Sequence, residues 1–260
     1  MNIHKTSTKS SIFLQNSIAL MNLNSYPPSN NSKKYLTIVA CNTNSEIKLN
    51  ATLNNLMYLL FPSNDVIVID SVGVKYGDVL KEKISSRLKA HYMIPNDKLM
   101  DFGKWNYILN NYDYKSYDYV VFTNDSIIIK APIFHFYNLM THRNVELYGY
   151  TNSAEIKYHY QSYLFGLKSE VCFRLINLIN NKKYLIHDYV SLIKNTEIEL
   201  VGNFTSQDCF LKIANSNIVA INMTSYFSLK DSNIFFRNDK LYVKLFKSKL
   251  LPFIKIKRII

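Results

Sequence analysis

The chain has 260 residues, enough for one large domain or a domain with a small appendage. Its 48% hydrophobic content supports a sizeable core, and its three cysteines, Cys41, Cys172 and Cys209, lie too far apart for a metal motif and fit a reducing compartment. Of the net charge of +12, residues 1–34 hold +4 (Lys5, Lys9, Lys33, Lys34) and residues 230–260 hold +7 (nine basic, two acidic), leaving +1 for 35–229, so nucleic acid, which needs a basic folded body, is not an expected partner.

Residues 1–34 are rich in Ser and Asn and end in Tyr26-Pro27-Pro28-Ser29-Asn30-Asn31-Ser32, the composition of a flexible lead-in. The stretch 12–23 is broken by Gln15, Asn16, Ser17 and Asn22 and makes a poor signal peptide. No apolar run approaches the roughly 18 residues of a spanning helix, and a cytoplasmic protein is expected. Residues 35–41 then form a short apolar run typical of a buried parallel strand. Helical spacing follows over 46–61, through Ile47, Leu49, Leu53, Leu56, Leu59 and Leu60. A second buried strand covers 65–70 and ends on Asp70. Helices are expected over 76–89 and 103–112. A third buried strand, 119–122, runs into Thr123-Asn124-Asp125-Ser126. Beyond it, 145–150 and 162–167 read as strands, and 169–180 and 207–215 as helices.

This alternation predicts an α/β fold: one domain over 35–229 with a mostly parallel central sheet flanked by helices. In such sheets ligands bind beyond the carboxyl ends of the strands, so Asp70 and Asp125 should face one crevice. The basic segment 230–260 follows. Within it, Lys244, Lys247, Lys249, Lys255, Lys257 and Arg258 alternate with Leu, Phe and Ile. Before Pro252 this pattern suits either a peripheral membrane anchor or a helix packed on the domain with its lysines solvated.

Two constellations carry chemistry. In Asn124-Asp125-Ser126 a carboxylate stands just past a buried strand, a place that suits a divalent cation, Mn²⁺ or Mg²⁺, bound to a diphosphate. Such an ion neutralises charge developing on a leaving nucleotide. The same tripeptide is also ordinary Asx-turn chemistry, which needs no ligand. On either reading Asn fills the turn as well as Asp, so Asp125→Asn is expected to leave unliganded stability nearly unchanged. The second constellation is Gly149-Tyr150-Thr151-Asn152-Ser153 followed by His159-Tyr160-Gln161-Ser162-Tyr163-Leu164-Phe165-Gly166. Thr151, His159, Gln161 and Ser162 offer neutral donors and acceptors of the kind that read sugar hydroxyls; cross-strand polar pairing is the alternative.

Taken in order, Asp101-Phe102-Gly103-Lys104-Trp105, Tyr117-Asp118, Asn124-Asp125-Ser126, Pro132, Gly149-Tyr150-Thr151 and His159-Tyr160-Gln161-Ser162-Tyr163 resemble the rhamnan synthesis protein F family. That family and similar glycosyltransferase domains of bacteria and large viruses act in polysaccharide or glycan assembly. The resemblance covers roughly residues 35–220 and implies a GT-A-like fold, a nucleoside-diphosphate sugar donor and a saccharide acceptor. It sets Asp125 where an Asp-x-Asp metal motif would end. This chain departs from that motif, since Thr123 replaces the first acid, and no histidine follows His187 to serve as a late ligand.

The remaining residues fall into place around such a donor. Backbone groups after Ala40 are expected to border the base, with Asp70 accepting from base or ribose, or else capping the next turn. Asp101 is expected to orient donor-sugar hydroxyls or to cap a helix, and Lys104 to meet phosphate. An inverting transfer also needs a base for the acceptor hydroxyl. Asp208, at an expected helix start, is the first candidate and Glu199 the second, with Asp188 a further rival. Two other readings compete: a catalytically inactive relative that binds glycan or nucleotide sugar, and a sugar nucleotidyltransferase. Against the latter, no Gly-rich, Lys/Arg-bearing loop follows the first strand.

Overall fold

The computed structural model describes residues 33–129, 133–150, 152–153 and 159–200, together with the backbone of 209–210, 218–221 and 244–245. The central strand β1, Tyr35–Ala40, is buried along its whole length. Its side chains alternate between two cores, as a period of two demands. Tyr35, Val39 and Cys41 enter one core, with Leu49, Leu56 and Leu59 of helix α1, Glu46–Leu59. Leu36, Ile38 and Ala40 enter the other, with Phe102, Trp105 and Ile108 of helix α3, Met100–Asn111. Both faces are thus covered by helices, which is why such strands read as nearly continuous apolar runs.

β2, Asn64–Ser71, pairs in parallel with one edge of β1, and β4, Tyr119–Asn124, with the other. β3, Ala90–Ile94, extends the sheet beyond β2 after helix α2, Gly77–Ile84. On the far side of β4 lies β9, Leu164–Lys168, antiparallel to β4 and to β6, Leu147–Gly149. With β10, Cys209–Phe210, at one edge, the seven-stranded order is β10-β6-β9-β4-β1-β2-β3, so β9 alone opposes its neighbours. The expected α/β class with a mostly parallel, helix-flanked sheet is what the chain adopts. Strand order reverses at β1, because β2 and β3 build outward on one side and β4 on the other. Such a reversal leaves a crevice outside the carboxyl ends of the strands that flank it.

One expected helix is replaced, and two elements are new. β3 was not anticipated, because Ala-His-Tyr-Met-Ile is half-buried at the sheet edge and shows no continuous apolar run. The helix expected over 207–215 gives way at Cys209–Phe210 to a strand, β10, parallel to Tyr148 and Gly149 of β6. Asp208 itself, the remaining 201–208 segment and Thr151 lie outside the described residues, as do residues 1–32 and nearly all of 230–260. Finally, beyond helices α4, Phe134–Arg143, and α5, Cys172–Lys182, residues 189–200 form one continuous helical run with a π-helical turn at Ile193–Glu197, between α6, Tyr189–Leu192, and α7, Ile198–Leu200.

Close packing brings β9 against the helices and fixes the site-bearing loops. Phe122 of β4 and Phe165 of β9 face each other in register and stack at 4.9 Å, and Trp105 meets both edge-on. Gly149 has no room for a side chain: a Cβ there would lie 2.5 Å from the Tyr160 ring. No helix among the described residues is long and apolar enough to cross a membrane.

Candidate functional site at the carboxyl ends of β1 and β4

Asp125 follows β4 directly and is buried. Its Oδ2 accepts from the backbone N–H of Asn42 at 2.7 Å, just past β1. Its Oδ1 meets Lys48 Nζ at 2.8 Å, and its own N–H donates to the Ala40 carbonyl at 3.2 Å. Both carboxylate oxygens are therefore engaged. Lys48 stands in the first turn of α1, where Ser45 is the N-cap and accepts from the Lys48 N–H. A helix dipole disfavours a cation in a first turn, so the partner rather than the helix accounts for a lysine here. Burial alone would lower the Lys48 pKa, but the charge and hydrogen bond of Asp125 outweigh it and hold the ammonium above its ordinary range. Two asparagines pin α1 beside Asp125. Asn55 bonds both the Ile127 carbonyl (2.8 Å) and the Ile129 N–H (2.7 Å) of β5, Ile127–Ile129, and Asn54 donates to the Ile129 carbonyl at 2.6 Å.

Asn124 shows the turn chemistry expected of its tripeptide. Its Oδ1 accepts from the N–H and hydroxyl of Ser126, while its amide donates to Asp101 Oδ2 at 2.8 Å. Asp101 lies at the start of α3, after Met100, whose φ of 49° is left-handed. A non-glycine residue there costs about 1 kcal/mol or more, and Asp97 stabilises the entry by accepting from Leu99 and Met100. Gly103 packs so closely on Asp97 that a Cβ would sit 2.7 Å from a carboxylate oxygen. Lys104 is 2% exposed and donates to the Cys41 carbonyl at 2.6 Å. Burial first, and the charge of Asp125 second, raise the Asp101 carboxyl; Lys104, Lys48 and the Asn124 amide pull it back only in part.

Asp70 is fully buried, and its oxygens accept from the Thr43 N–H (3.1 Å), the Ser71 N–H (2.7 Å) and the Thr43 hydroxyl. This is the turn-ordering alternative in its strongest form. The backbone donors after Ala40 are likewise spent inside the loop: Cys41 on Ile69, Asn42 on Asp125, Thr43 on Asp70. Cys41 sits among these charges, and burial, then Asp70 and Asp125, push its thiol well above the ordinary range. It is a buried free thiol with no disulfide.

A second polar group lies on the β8–β9 side, where β8, His159–Tyr160, pairs with β7, Asn152–Ser153. It joins the first through Thr123, whose hydroxyl donates to the Tyr163 carbonyl at 2.9 Å. Glu197, on the π-helical turn, accepts from the Ser162 N–H (3.3 Å) and hydroxyl (3.1 Å). His159 Nε2 approaches the same carboxylate at 3.7 Å, an electrostatic contact beyond hydrogen-bond length. Gln161 is buried and its Oε1 accepts from the Tyr163 hydroxyl at 2.9 Å. Glu199 is half-buried two positions after Glu197, and residues two apart on a helix do not share a face. Asp188 is an N-terminal cap: it accepts from Ser191 in a capping box. Sequence reasoning missed both Lys48 and Glu197. The signal for Lys48 was its place, a lysine in the first turn of the helix after the first strand. Glu197 had none, because a π-turn rotates it in a way that no 3.6-residue period foretells.

The donor set at Asp125 does not fit a divalent cation. Such an ion takes several oxygen ligands, whereas Asp125 has one oxygen on an amide and the other on an ammonium. Among the described residues no group of three or more His, Cys, Asp or Glu could hold a metal.

No protein-family model matches the chain, the rhamnan synthesis protein F family included, and no curated protein matches it. Solved structures do align. A mannosyltransferase, PcManGT from Pyrobaculum calidifontis in complex with GDP-Man and Mn²⁺, is 15% identical, with 64% of this chain and 55% of that chain covered and a TM-score of 0.43. S. aureus TarS 1–349 in complex with UDP is 13% identical, with 62% and 54% covered and a TM-score of 0.45. Mouse xyloside xylosyltransferase 1, apo form, is 10% identical, with 84% and 98% covered and a TM-score of 0.45. This chain spans about half the length of the first two.

Proposed function

We propose that this chain is a GT-A-like glycosyltransferase that moves a sugar from a nucleoside-diphosphate donor to a saccharide acceptor. One observation carries the reading. Asp101, Lys104, Asn124 and Asp125, with Lys48 added, gather where strand order reverses, and His159, Gln161 and Ser162 join them through the Thr123–Tyr163 bond. Apart from Lys48 and Thr123, these are residues of the motifs on which the family resemblance rests, and a strand-order reversal is where α/β sheets bind ligands. The donor diphosphate belongs at the β1 and β4 ends, and the acceptor on the β8–β9 side. There Glu197, held by Ser162 and facing His159, is the group to take the acceptor proton. Asp208, Glu199 and Thr151 remain proposals of the sequence alone, as do glycan assembly and membrane contact through the basic C-terminus.

The test is a panel of nucleoside-diphosphate sugars, read by thermal stabilisation of the full chain and by release of nucleoside diphosphate. One donor should stabilise selectively and turn over when a saccharide acceptor is supplied. Glu197→Gln should keep that stabilisation and lose turnover by about 100-fold, the scale of a general base. Stabilisation by none of the panel would refute the reading.

A further inference from the structure

A nucleoside diphosphate leaving a donor sugar brings concentrated negative charge that something in the protein must meet. A divalent ion at Asp125 is the obvious source of positive charge, yet the side chains there do not fit one. The place beside the carboxylate is taken by an ammonium: Lys48 Nζ lies 2.8 Å from Asp125 Oδ1. Of the two lysines in the cluster, Lys104, which donates to the Cys41 carbonyl, is only 2% exposed, so its ammonium is closed off by burial. Lys48 is different, because its side chain is 18% exposed against 4% for Asp125. The cation is thus the open member of the pair and the carboxylate the closed one. In a pair half-closed in this way the lysine, and not the carboxylate, is the member that an incoming anion can approach.

We propose that Lys48 supplies the positive charge that meets the donor diphosphate, and that Asp125 holds this lysine in position instead of ligating a cation. The inference rests on the glycosyltransferase reading above. An ammonium offers three donors, of which Asp125 takes one, and the others are free to reach phosphate oxygens. Asn54 and Asn55 lock α1 to β5, so the ammonium is held before any donor arrives. Protonated lysine would then stabilise the leaving diphosphate by the same electrostatic route as a metal ion.

The experiment measures the binding of UDP, UMP, GDP and GMP to the full chain, in EDTA and in Mn²⁺. Wild type, Lys48→Arg and Lys48→Met are compared. One diphosphate should bind equally well in EDTA and in Mn²⁺, and more tightly than its monophosphate. Lys48→Met should weaken that diphosphate at least tenfold and erase its advantage over the monophosphate, while Lys48→Arg keeps most of it. A merely structural lysine would weaken mono- and diphosphate alike, which overturns the proposal. Binding that appears only with Mn²⁺, or that tightens in Lys48→Met because a competitor for the ion is gone, also overturns it while leaving the glycosyltransferase reading intact. Binding of none of these nucleotides under either condition, by a protein that the donor-sugar panel also fails to stabilise, removes both. Unliganded melting of each variant shows that the folded protein is being compared, and Lys48→Arg keeps the test decisive should Lys48→Met fail to fold.

Discussion

β4 is bracketed by two aspartates whose arrangements nearly repeat each other. At its amino end, Asp118 accepts from Lys33 Nζ and the Lys34 N–H, each at 2.8 Å, and its own N–H donates to the Lys34 carbonyl. At its carboxyl end, Asp125 accepts from Lys48 Nζ at 2.8 Å and the Asn42 N–H at 2.7 Å, and its own N–H donates to the Ala40 carbonyl. Each aspartate takes one lysine and one backbone amide from just outside β1, so the β1–β4 pair is braced at both ends. The difference is solvent. The side chains of Lys33 and Asp118 are 45% and 33% exposed, those of Lys48 and Asp125 18% and 4%. A carboxylate just past a strand thus has a structural task before it has any ligand. Only the buried copy, beside Asp101, Asn124 and Lys104, stands in surroundings that chemistry can use.

The largest effect should come from breaking the buried brace. An Asn at position 125 must turn its NH₂ toward either the Lys48 ammonium or the Asn42 N–H, donor against donor, and it strands a buried cation. Asp125→Asn should therefore cost about 3 kcal/mol of stability, as removal of one partner from a buried pair does. The sequence supported the opposite expectation, a nearly neutral change, because an Asn suits the turn itself. Denaturant unfolding of the unliganded protein decides between them, and a loss below about 1 kcal/mol would return Asp125 to a turn residue.

The two pairs should also differ in coupling energy. Double-mutant cycles on Lys48→Met with Asp125→Asn, and on Lys33→Met with Asp118→Asn, isolate each pair from its surroundings. The buried pair should couple by more than about 1 kcal/mol, and the exposed pair by less than about 0.5 kcal/mol. Equal couplings would mean that the 2.8 Å contact matters and its burial does not.

The frame of this site was legible in the sequence because burial writes itself as apolar runs. β1, β2 and β4 are legible where 35–41, 66–69 and 119–122 are mostly or wholly apolar, and α1 by its 3.6-residue spacing. The carboxyl-end positions of Asp70 and Asp125 followed from those strands. What sequence could not supply was the partner of each side chain. Asp70 and Thr43 meet across a parallel pair, Lys48 and Asp125 across 77 positions, and Ser162 and Glu197 through a π-turn. A carboxylate that looks available for a ligand in one dimension is spent on a neighbour in three. The edge strands β3 and β10 escaped for a related reason, since short, half-covered or isolated strands lack the apolar signature of central ones.

The smallest effect belongs to the exposed brace, and it has a pH signature. Burial alone would raise the Asp118 carboxyl, but the Lys33 hydrogen bond, the Lys34 amide and the charges of both lysines outweigh it, and the group lies below its ordinary value of 3.8. A carboxyl whose folded pKa is depressed contributes stability that is fully present above the unfolded value and is lost as pH falls through the folded one. Asp118→Asn should thus be less stable than wild type at neutral pH, by well under 1 kcal/mol because solvent screens a pair this exposed. The gap should close as the pH drops below about 3.8 and vanish once Asp118 is protonated in the folded protein. Salt at about 1 M, with a Debye length near 3 Å, should narrow the neutral-pH gap too. Urea titrations of both proteins across the acid range measure this directly. A gap that persists in acid would trace to the geometry of the Lys34 amide bond and not to charge, and the two ends of β4 would then differ in kind as well as in burial.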